Sequence, residues 1–92
     1  MIRSCKDRDT QKLWDRIATR RFQNVEKAAR IKLGFLAAAR DLRDLQQVPG
    51  LRLEKLTGDR QGQYSIRIND QYRICFEWRE DGAYQVEVTD YH

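Results

Sequence analysis

Three residues at the end of the printed sequence, Asp90, Tyr91 and His92, carry side chains that can transfer protons or donate hydrogen bonds. His92 is the only histidine in the sequence. An imidazole with an ordinary pKa of about 6.5 gives or takes a proton near neutral pH. The alternating segment over residues 84–89 runs directly into these three residues and predicts a last strand that ends at them. The C-terminal triplet is therefore a candidate edge of an active site.

Two arginines on neighbouring predicted strands, Arg67 and Arg73, could form a phosphate clamp. Guanidinium is permanently charged and grips phosphate with two parallel hydrogen bonds. A three-residue connection or a bulge between the strands pairs the two arginines, and parity then predicts that Arg67, Arg73 and Tyr91 share the sheet face that no helix covers. The alternative is structural, with Glu77 and Glu87 neutralising the arginines.

These residue types suit cleavage of RNA without a metal ion or other cofactor. Such a reaction needs a base for the ribose 2′-hydroxyl, a cation beside the phosphate and an acid for the departing 5′-oxygen. The candidates are His92, Asp90, Tyr91 and Arg73. The residues alone leave open which group is the base and which is the acid.

The secondary-structure elements that must position these residues are predicted from two spacings of apolar residues, a helical spacing in the first half of the chain and a period of two in the second half. Apolar residues at helical spacing predict a first helix capped by Asp9 or Thr10, with Trp14 as a core anchor. Asn24 is the predicted cap of a longer helix, which Leu42 and Leu45 extend by a turn.

After the break at residues 49–50 the period changes to two. Strands are predicted at residues 63–68, 72–78 and 84–89, with a short first strand at residues 2–5. The fold class is therefore α+β, with the N-terminal helices on one face of a mainly antiparallel sheet of four to five strands. The predicted apolar face contains Tyr64, Ile66, Ile68, Tyr72, Ile74, Phe76, Trp78, Tyr84, Val86 and Val88. A five-residue turn before the last strand places Phe76 opposite Val86 and Arg73 near Thr89.

Length and composition favour one soluble, cytoplasmic domain over residues 1–92. No apolar run is long enough for a membrane span or a signal peptide. Cys5 and Cys75, with one histidine, do not supply the usual spacing of a zinc site, and reduced structural cysteines are predicted.

The net charge of +4 comes from the N-terminal third, where residues 1–30 contain nine Lys or Arg against four Asp or Glu. A basic connector, Arg20 and Arg21, follows the first predicted helix. Such a region attracts polyanions, and a merely solvated basic surface is the alternative.

Several stretches together resemble a known family. The stretch from Arg52 to Ile68 contains the Leu-Thr-Gly-Asp-Arg turn at residues 56–60, and the strand INDQYRICF follows at residues 68–76. With the first four residues and the terminal Asp-Tyr-His, these stretches resemble a HigB-type toxin of the RelE/ParE superfamily over nearly the whole chain.

The resemblance implies a toxin of a type II toxin–antitoxin system that enters the ribosomal A site and cuts translated mRNA. It implies a HigA-like helix-turn-helix antitoxin as partner, with operator DNA bound through the toxin–antitoxin complex. Asp90, Tyr91, His92 and Arg73 match the catalytic positions. Lys55, Arg60, Arg67, Arg20 and Arg21 are the predicted RNA- or ribosome-binding residues.

One position departs from the family pattern. Relatives often carry an active-site lysine before the turn glycine, where this chain has Thr57. Lys55 or Arg60 could reach the same phosphate, or the toxin could be slower. Two alternatives stay open: a ParE-like, non-catalytic inhibitor of DNA gyrase, and a weakened toxin that serves as antitoxin partner and co-repressor.

Overall fold

The computed structural model describes residues 1–90, and Tyr91 and His92 lie outside the described residues. The helices are α1 (Arg8–Trp14), α2 (Glu26–Ala38) and α3 (Leu42–Gln46), with 3-10 turns at Arg20–Phe22 and Gly58–Arg60. The strands β1 (Glu54–Lys55), β2 (Tyr64–Arg67), β3 (Tyr72–Arg79) and β4 (Gly82–Asp90) form an antiparallel sheet in the order β1-β2-β3-β4. The predicted α+β order is confirmed. Within residues 1–90, no helix has the length and apolar character needed to cross a membrane.

The N-terminal segment lies along the outer edge of β4. Instead of the predicted first strand, two isolated parallel bridges join Ile2 to Ala83 and Cys5 to Val86. Backbone hydrogen bonds of 2.7 to 3.0 Å accompany them. A Cβ atom at Gly82 would collide with the carbonyl oxygen of the first residue, so only glycine permits this approach. β4 is therefore held on both sides, by β3 and by this segment.

Helix α1 is fastened to the sheet through a buried threonine. Asp7 is its N-cap and accepts a hydrogen bond from the Thr10 backbone N–H, so the predicted cap, Asp9 or Thr10, was wrong. The Thr10 hydroxyl donates to Asp7 Oδ1 at 2.6 Å and accepts from the Val88 N–H at 3.1 Å. Thr10 therefore joins the helix cap to β4.

Helix α2 contributes Ala29, Leu33 and Leu36 to the core. It begins after Val25, which makes no side-chain cap, so the predicted cap at Asn24 was wrong. The predicted extension of this helix is a separate helix, α3, because Asp41 caps a new start there. The core lies between these helices and one face of the sheet, as predicted. Its sheet residues are Ile66, Ile68, Ile74, Phe76, Ala83, Val86 and Val88.

The hairpin between β3 and β4 differs from the prediction. Arg79 pairs with Gly82, so the turn contains two residues rather than five, and a bulge opposite the middle of β3 absorbs the difference. Gln85 has a positive φ of 53° at this bulge. Tyr84 consequently pairs with Glu77 on the open face, and its predicted place on the apolar face was wrong.

Candidate active site

Among the described residues, Arg73 is the most buried cation on the sheet face opposite the helices. It pairs with Arg67 across β2 and β3, as predicted, and is only 8% exposed. Its Nε donates to the Ser65 hydroxyl at 2.8 Å, and its Nη2 donates to the Arg52 carbonyl oxygen at 2.8 Å. The Glu54 carboxylate lies 3.9 Å from Nη2. The guanidinium is therefore held in one orientation from two of its nitrogens.

Arg67, the second arginine of the predicted clamp, has an exposed counter-ion. Its guanidinium forms an ion pair with Asp70, whose side chain is 99% exposed. The structural alternative to a phosphate clamp assigned that role to Glu77, which instead pairs with Arg79 at 3.0 Å. An incoming phosphate can replace Asp70 at little cost, since a surface ion pair contributes about 0–1 kcal/mol.

Glu87, the other predicted counter-ion, binds a cation from a different part of the chain. Arg60 Nη1 lies 3.0 Å from Glu87 Oε1, and Lys6 Nζ lies 3.7 Å from it. Arg60 also donates to Gln63 Oε1 at 3.1 Å. The 3-10 turn thus carries Arg60 over the sheet face and above Cys75, which pairs with Glu87 in the ladder. Ser65, Arg73 and Cys75 on this face are consequently buried, although the polar side chains of the face predict exposure to solvent.

Asp90 is the last residue of β4 and lies at the end of the sheet where β3 begins. It pairs with Tyr72 and accepts a hydrogen bond from Gln71 Nε2 at 3.0 Å. The neighbouring Thr89 pairs with Arg73. Because side chains alternate along a strand, Asp90 lies on the opposite side of the sheet from Arg73.

The other two residues of the predicted catalytic triplet, Tyr91 and His92, lie outside the described residues. The predicted position of Tyr91 on the open face and of His92 at its edge is therefore untested. The structure describes strand β4, which leads to these two residues, and it places an arginine row, Arg67 and Arg73, beside the end of that strand.

The basic connector lies at the same end of the sheet. The Phe22 ring packs edge-on against Tyr72, with 6.0 Å between ring centroids, and Tyr72 is the ladder partner of Asp90. The Arg21 guanidinium lies 4.9 Å from the Phe22 centroid, and Arg20 is exposed. The predicted binding residues Arg20 and Arg21 are thus close to the C-terminal end of β4.

Lys55 lies farther away, on the edge strand β1, where it is exposed and pairs with Tyr64. Thr57 is also exposed and precedes the 3-10 turn that carries Arg60. The structure therefore brings Arg67, Arg73 and Asp90 to one end of the sheet. Arg60 lies nearer its middle, and Lys55 lies at its margin.

Neither cysteine has the surroundings of a nucleophile. Burial, with help from Asp7 and Asp15, raises the pKa of the Cys5 thiol to about 11. Burial also raises the pKa of the Cys75 thiol, against the lowering effect of Arg60. Both cysteines are free thiols, as predicted. A raised pKa keeps them protonated and unreactive near neutral pH.

The sequence analysis missed the groups that hold Arg73. Strand parity puts Ser65 on the same face as Arg67, but nothing in the sequence marks its hydroxyl as a hydrogen-bond acceptor. The signal was present in the register, because pairing of Arg67 with Arg73 makes Ser65 the diagonal neighbour of Arg73. The Arg52 carbonyl had no sequence signal, since its position depends on a positive φ of 49°.

A comparison with solved structures identifies the class of fold. The chain superposes on a chain of the YoeB–YefM complex from Staphylococcus aureus with a TM-score of 0.63, covering 100% of this chain and 98% of that one. The two are 21% identical in sequence. At that identity the likeness establishes the α+β fold and nothing finer.

Sequence comparison then identifies the family. The family model described as "RelE-like toxin of type II toxin-antitoxin system HigB" matches residues 4–92. The chain therefore belongs to the HigB-like toxin family. It is also 46% identical over 55 residues to Toxin HigB-1 of Vibrio cholerae serotype O1, a match that spans 60% of this chain and 58% of that protein.

Proposed function

We propose that this protein is the toxin of a type II toxin–antitoxin system and acts as a ribosome-dependent mRNA endoribonuclease. The observation that supports this activity best is the buried, doubly hydrogen-bonded Arg73 beside the end of the strand that carries Asp90. A fixed guanidinium at the end of the sheet where the strand leading to the proposed proton-transfer residues ends suits phosphodiester cleavage. A protein that only binds a partner has no need of a fixed cation together with proton-transfer residues.

The proposed reaction is attack by the ribose 2′-oxygen on the adjacent phosphorus. A base removes the 2′-hydroxyl proton, the bond from the 2′-oxygen to phosphorus forms, and the bond from phosphorus to the 5′-oxygen breaks. An acid returns a proton to the 5′-oxygen, so the products carry a 2′,3′-cyclic phosphate and a 5′-hydroxyl. Arg73 holds the phosphate and stabilises its developing charge, while Asp90, Tyr91 and His92 supply the proton-transfer groups.

The surrounding cations give a path for the RNA backbone. Arg67 can exchange its exposed partner Asp70 for a phosphate, and Arg60 lies above the same face. Arg20 and Arg21 lie at the end of the sheet near Asp90, where they can contact ribosomal RNA. Lys55 extends the positive surface along the edge strand. In this proposal the ribosome presents the mRNA to the open face.

The proposed partner is a HigA-like helix-turn-helix antitoxin, through which the complex binds operator DNA. Membership of the HigB-like toxin family supports an antitoxin partner, and the structural neighbour is itself a complex of two proteins. A toxin that acts on ribosomes belongs in the cytoplasm.

The test is cleavage of mRNA on translating ribosomes by the wild type, by Arg73→Ala and by a variant that lacks His92. Mapping of mRNA 5′ ends should show cuts in phase with codons for the wild type. Loss of a charge-stabilising donor lowers rates by about 10²- to 10³-fold, which we expect for Arg73→Ala. Loss of a general acid or base lowers rates by about 10²- to 10⁴-fold, which we expect for the variant that lacks His92.

Arg43→Ala is the matched control, since Arg43 is exposed on α3 in the helix layer and its loss should leave cleavage unchanged. Circular dichroism of each variant checks that it folds. If induction left mRNA intact and relaxed plasmid DNA, the result would contradict the nuclease proposal and would support inhibition of DNA gyrase. Intact mRNA and DNA, with operator binding retained, would indicate a co-repressor.

A further inference from the structure

We propose that Ser65 is a positioning residue for cleavage, which acts by holding the guanidinium of Arg73 in its phosphate-binding orientation. This inference rests on the proposed function and adds to it a residue outside the predicted site. Ser65 is fully buried, so its hydroxyl has no access to an RNA substrate. Any influence of Ser65 on the reaction must therefore pass through a neighbour.

That neighbour is Arg73. The Ser65 hydroxyl accepts from Arg73 Nε at 2.8 Å, and both side chains are at least nine-tenths buried. The second contact, from Nη2 to the Arg52 carbonyl, lies on another nitrogen of the same planar group. Two hydrogen bonds to different nitrogens fix both the position of a guanidinium plane and its rotation.

The acceptors are suited to a cation that must still attract phosphate. A hydroxyl and a backbone carbonyl are neutral, so they orient the Arg73 guanidinium without adding to the negative charge of the Glu54 carboxylate, which lies 3.9 Å from Nη2. Arg52 adopts a positive φ of 49°, which is costly for a residue with a side chain, and this conformation accompanies the placement of its carbonyl against Arg73. An ordered arginine loses less conformational entropy when it binds phosphate, since most of its rotamer freedom is already lost.

The test is a double-mutant cycle on single-turnover cleavage with programmed ribosomes, using Ser65→Ala, Arg73→Ala and the double variant. In the wild-type background, Ser65→Ala should lower the cleavage rate by about tenfold or more, because a misplacement of about 1 Å can cost about 10²-fold. The toxin concentration for half-maximal rate should change much less. In the Arg73→Ala background, Ser65→Ala should have no further effect, since residues that act as a unit are not additive.

Cys75→Ala is the control for packing, because Cys75 is the fully buried ladder partner of Ser65 on the same face. It should give equal losses, if any, in both backgrounds. Arg73→Lys serves as the second background should Arg73→Ala fail to fold. Exchange of the Arg73 Nε proton, followed by NMR, should be slow in the wild type and faster in Ser65→Ala.

A loss from Ser65→Ala that is the same with and without Arg73 would overturn the positioning role, as would a wild-type rate for Ser65→Ala. Failure of the wild type itself to cleave ribosome-bound mRNA would instead overturn the proposed function. Cleavage by the wild-type protein alone distinguishes failure of the positioning role from failure of the proposed function.

Discussion

Arg67 and Arg73 face each other in the sheet, yet their surroundings differ in kind. Arg67 has a charged, fully solvated partner in Asp70, whereas the direct hydrogen bonds of Arg73 to Ser65 and Arg52 go to neutral oxygens. Neutral acceptors do not reduce the positive field of Arg73, although the Glu54 carboxylate lies 3.9 Å from Nη2. Low solvent exposure strengthens that field. Arg73 is therefore the better candidate for charge stabilisation, and Arg67 for reversible binding of the RNA backbone.

Thr57 is the residue at which added charge should raise activity. Its side chain is exposed just before the turn that carries Arg60, so Thr57→Lys places a further cation beside the proposed phosphate path. We expect cleavage on ribosomes to increase by about tenfold, which corresponds to about 1.4 kcal/mol of transition-state stabilisation. Growth inhibition on induction should increase in parallel.

Two controls separate position from charge in that experiment. Thr57→Gln lengthens the side chain without adding charge, and Ile31→Lys adds a charge on the exposed side of α2. Neither should reproduce the gain. If Thr57→Lys left both cleavage and growth inhibition at the wild-type level, the missing lysine would have no bearing on activity.

Cys5 should make the protein less stable in alkaline solution. Its pKa is raised from 9.0 to about 11 in the folded state, so the unfolded chain releases the thiol proton first. The contribution of the Cys5 thiol to the free energy of unfolding is therefore complete below about pH 9, and it is lost as the pH rises towards 11. Allowing for partial exposure, the loss attributable to Cys5 at pH 10 is about 1 kcal/mol.

Urea denaturation under reducing conditions, at pH 8 and pH 10, measures this loss. The difference between the two pH values should be smaller for Cys5→Ala than for the wild type. The pKa of the Tyr84 phenol is also raised, by its hydrogen bond to Asp81, and Tyr84→Phe measures any contribution of that group to the pH effect. An equal pH effect in Cys5→Ala and the wild type would show that Cys5 is not responsible.

At the scale of elements, the Thr10 hydroxyl is the main polar link between α1 and β4. Thr10→Val keeps the shape but removes the hydroxyl, which leaves the buried Val88 N–H without its acceptor. We expect a loss of about 1–3 kcal/mol in the free energy of unfolding, measured with urea. Thr10→Ser keeps the hydroxyl and should lose less, and equal losses in the two variants would assign the effect to packing instead.

The elements also show how far periodicity alone predicts structure. Alternation located β2, β3 and β4, but not β1, and it gave the pairing of Arg67 with Arg73, because the core face of a half-buried sheet permits no slip of one residue. It failed at Tyr84, since a bulge changes parity without a glycine or proline to mark it. Helix caps failed too, because several polar residues precede α1 and only the packing against β4 selects Asp7.

At the scale of the whole molecule, the predicted site divides into parts that sequence could and could not locate. The arginine row followed from strand parity and the register of one hairpin. The counter-ions did not follow, because Asp70 lies in a turn and Arg60 reaches Glu87 from a separate segment. Contacts between segments distant in sequence depend on tertiary packing, which residue spacing does not encode.

The bridges that tie the first residues to β4 have a consequence for the order of folding. Ile2 and Cys5 join Ala83 and Val86, and Thr10 joins Val88, so each of these contacts spans about eighty residues. Contacts of such high sequence separation form late, because the chain between them must first be closed into a loop. A nascent chain therefore cannot complete this sheet until its last strand has left the ribosome that makes it.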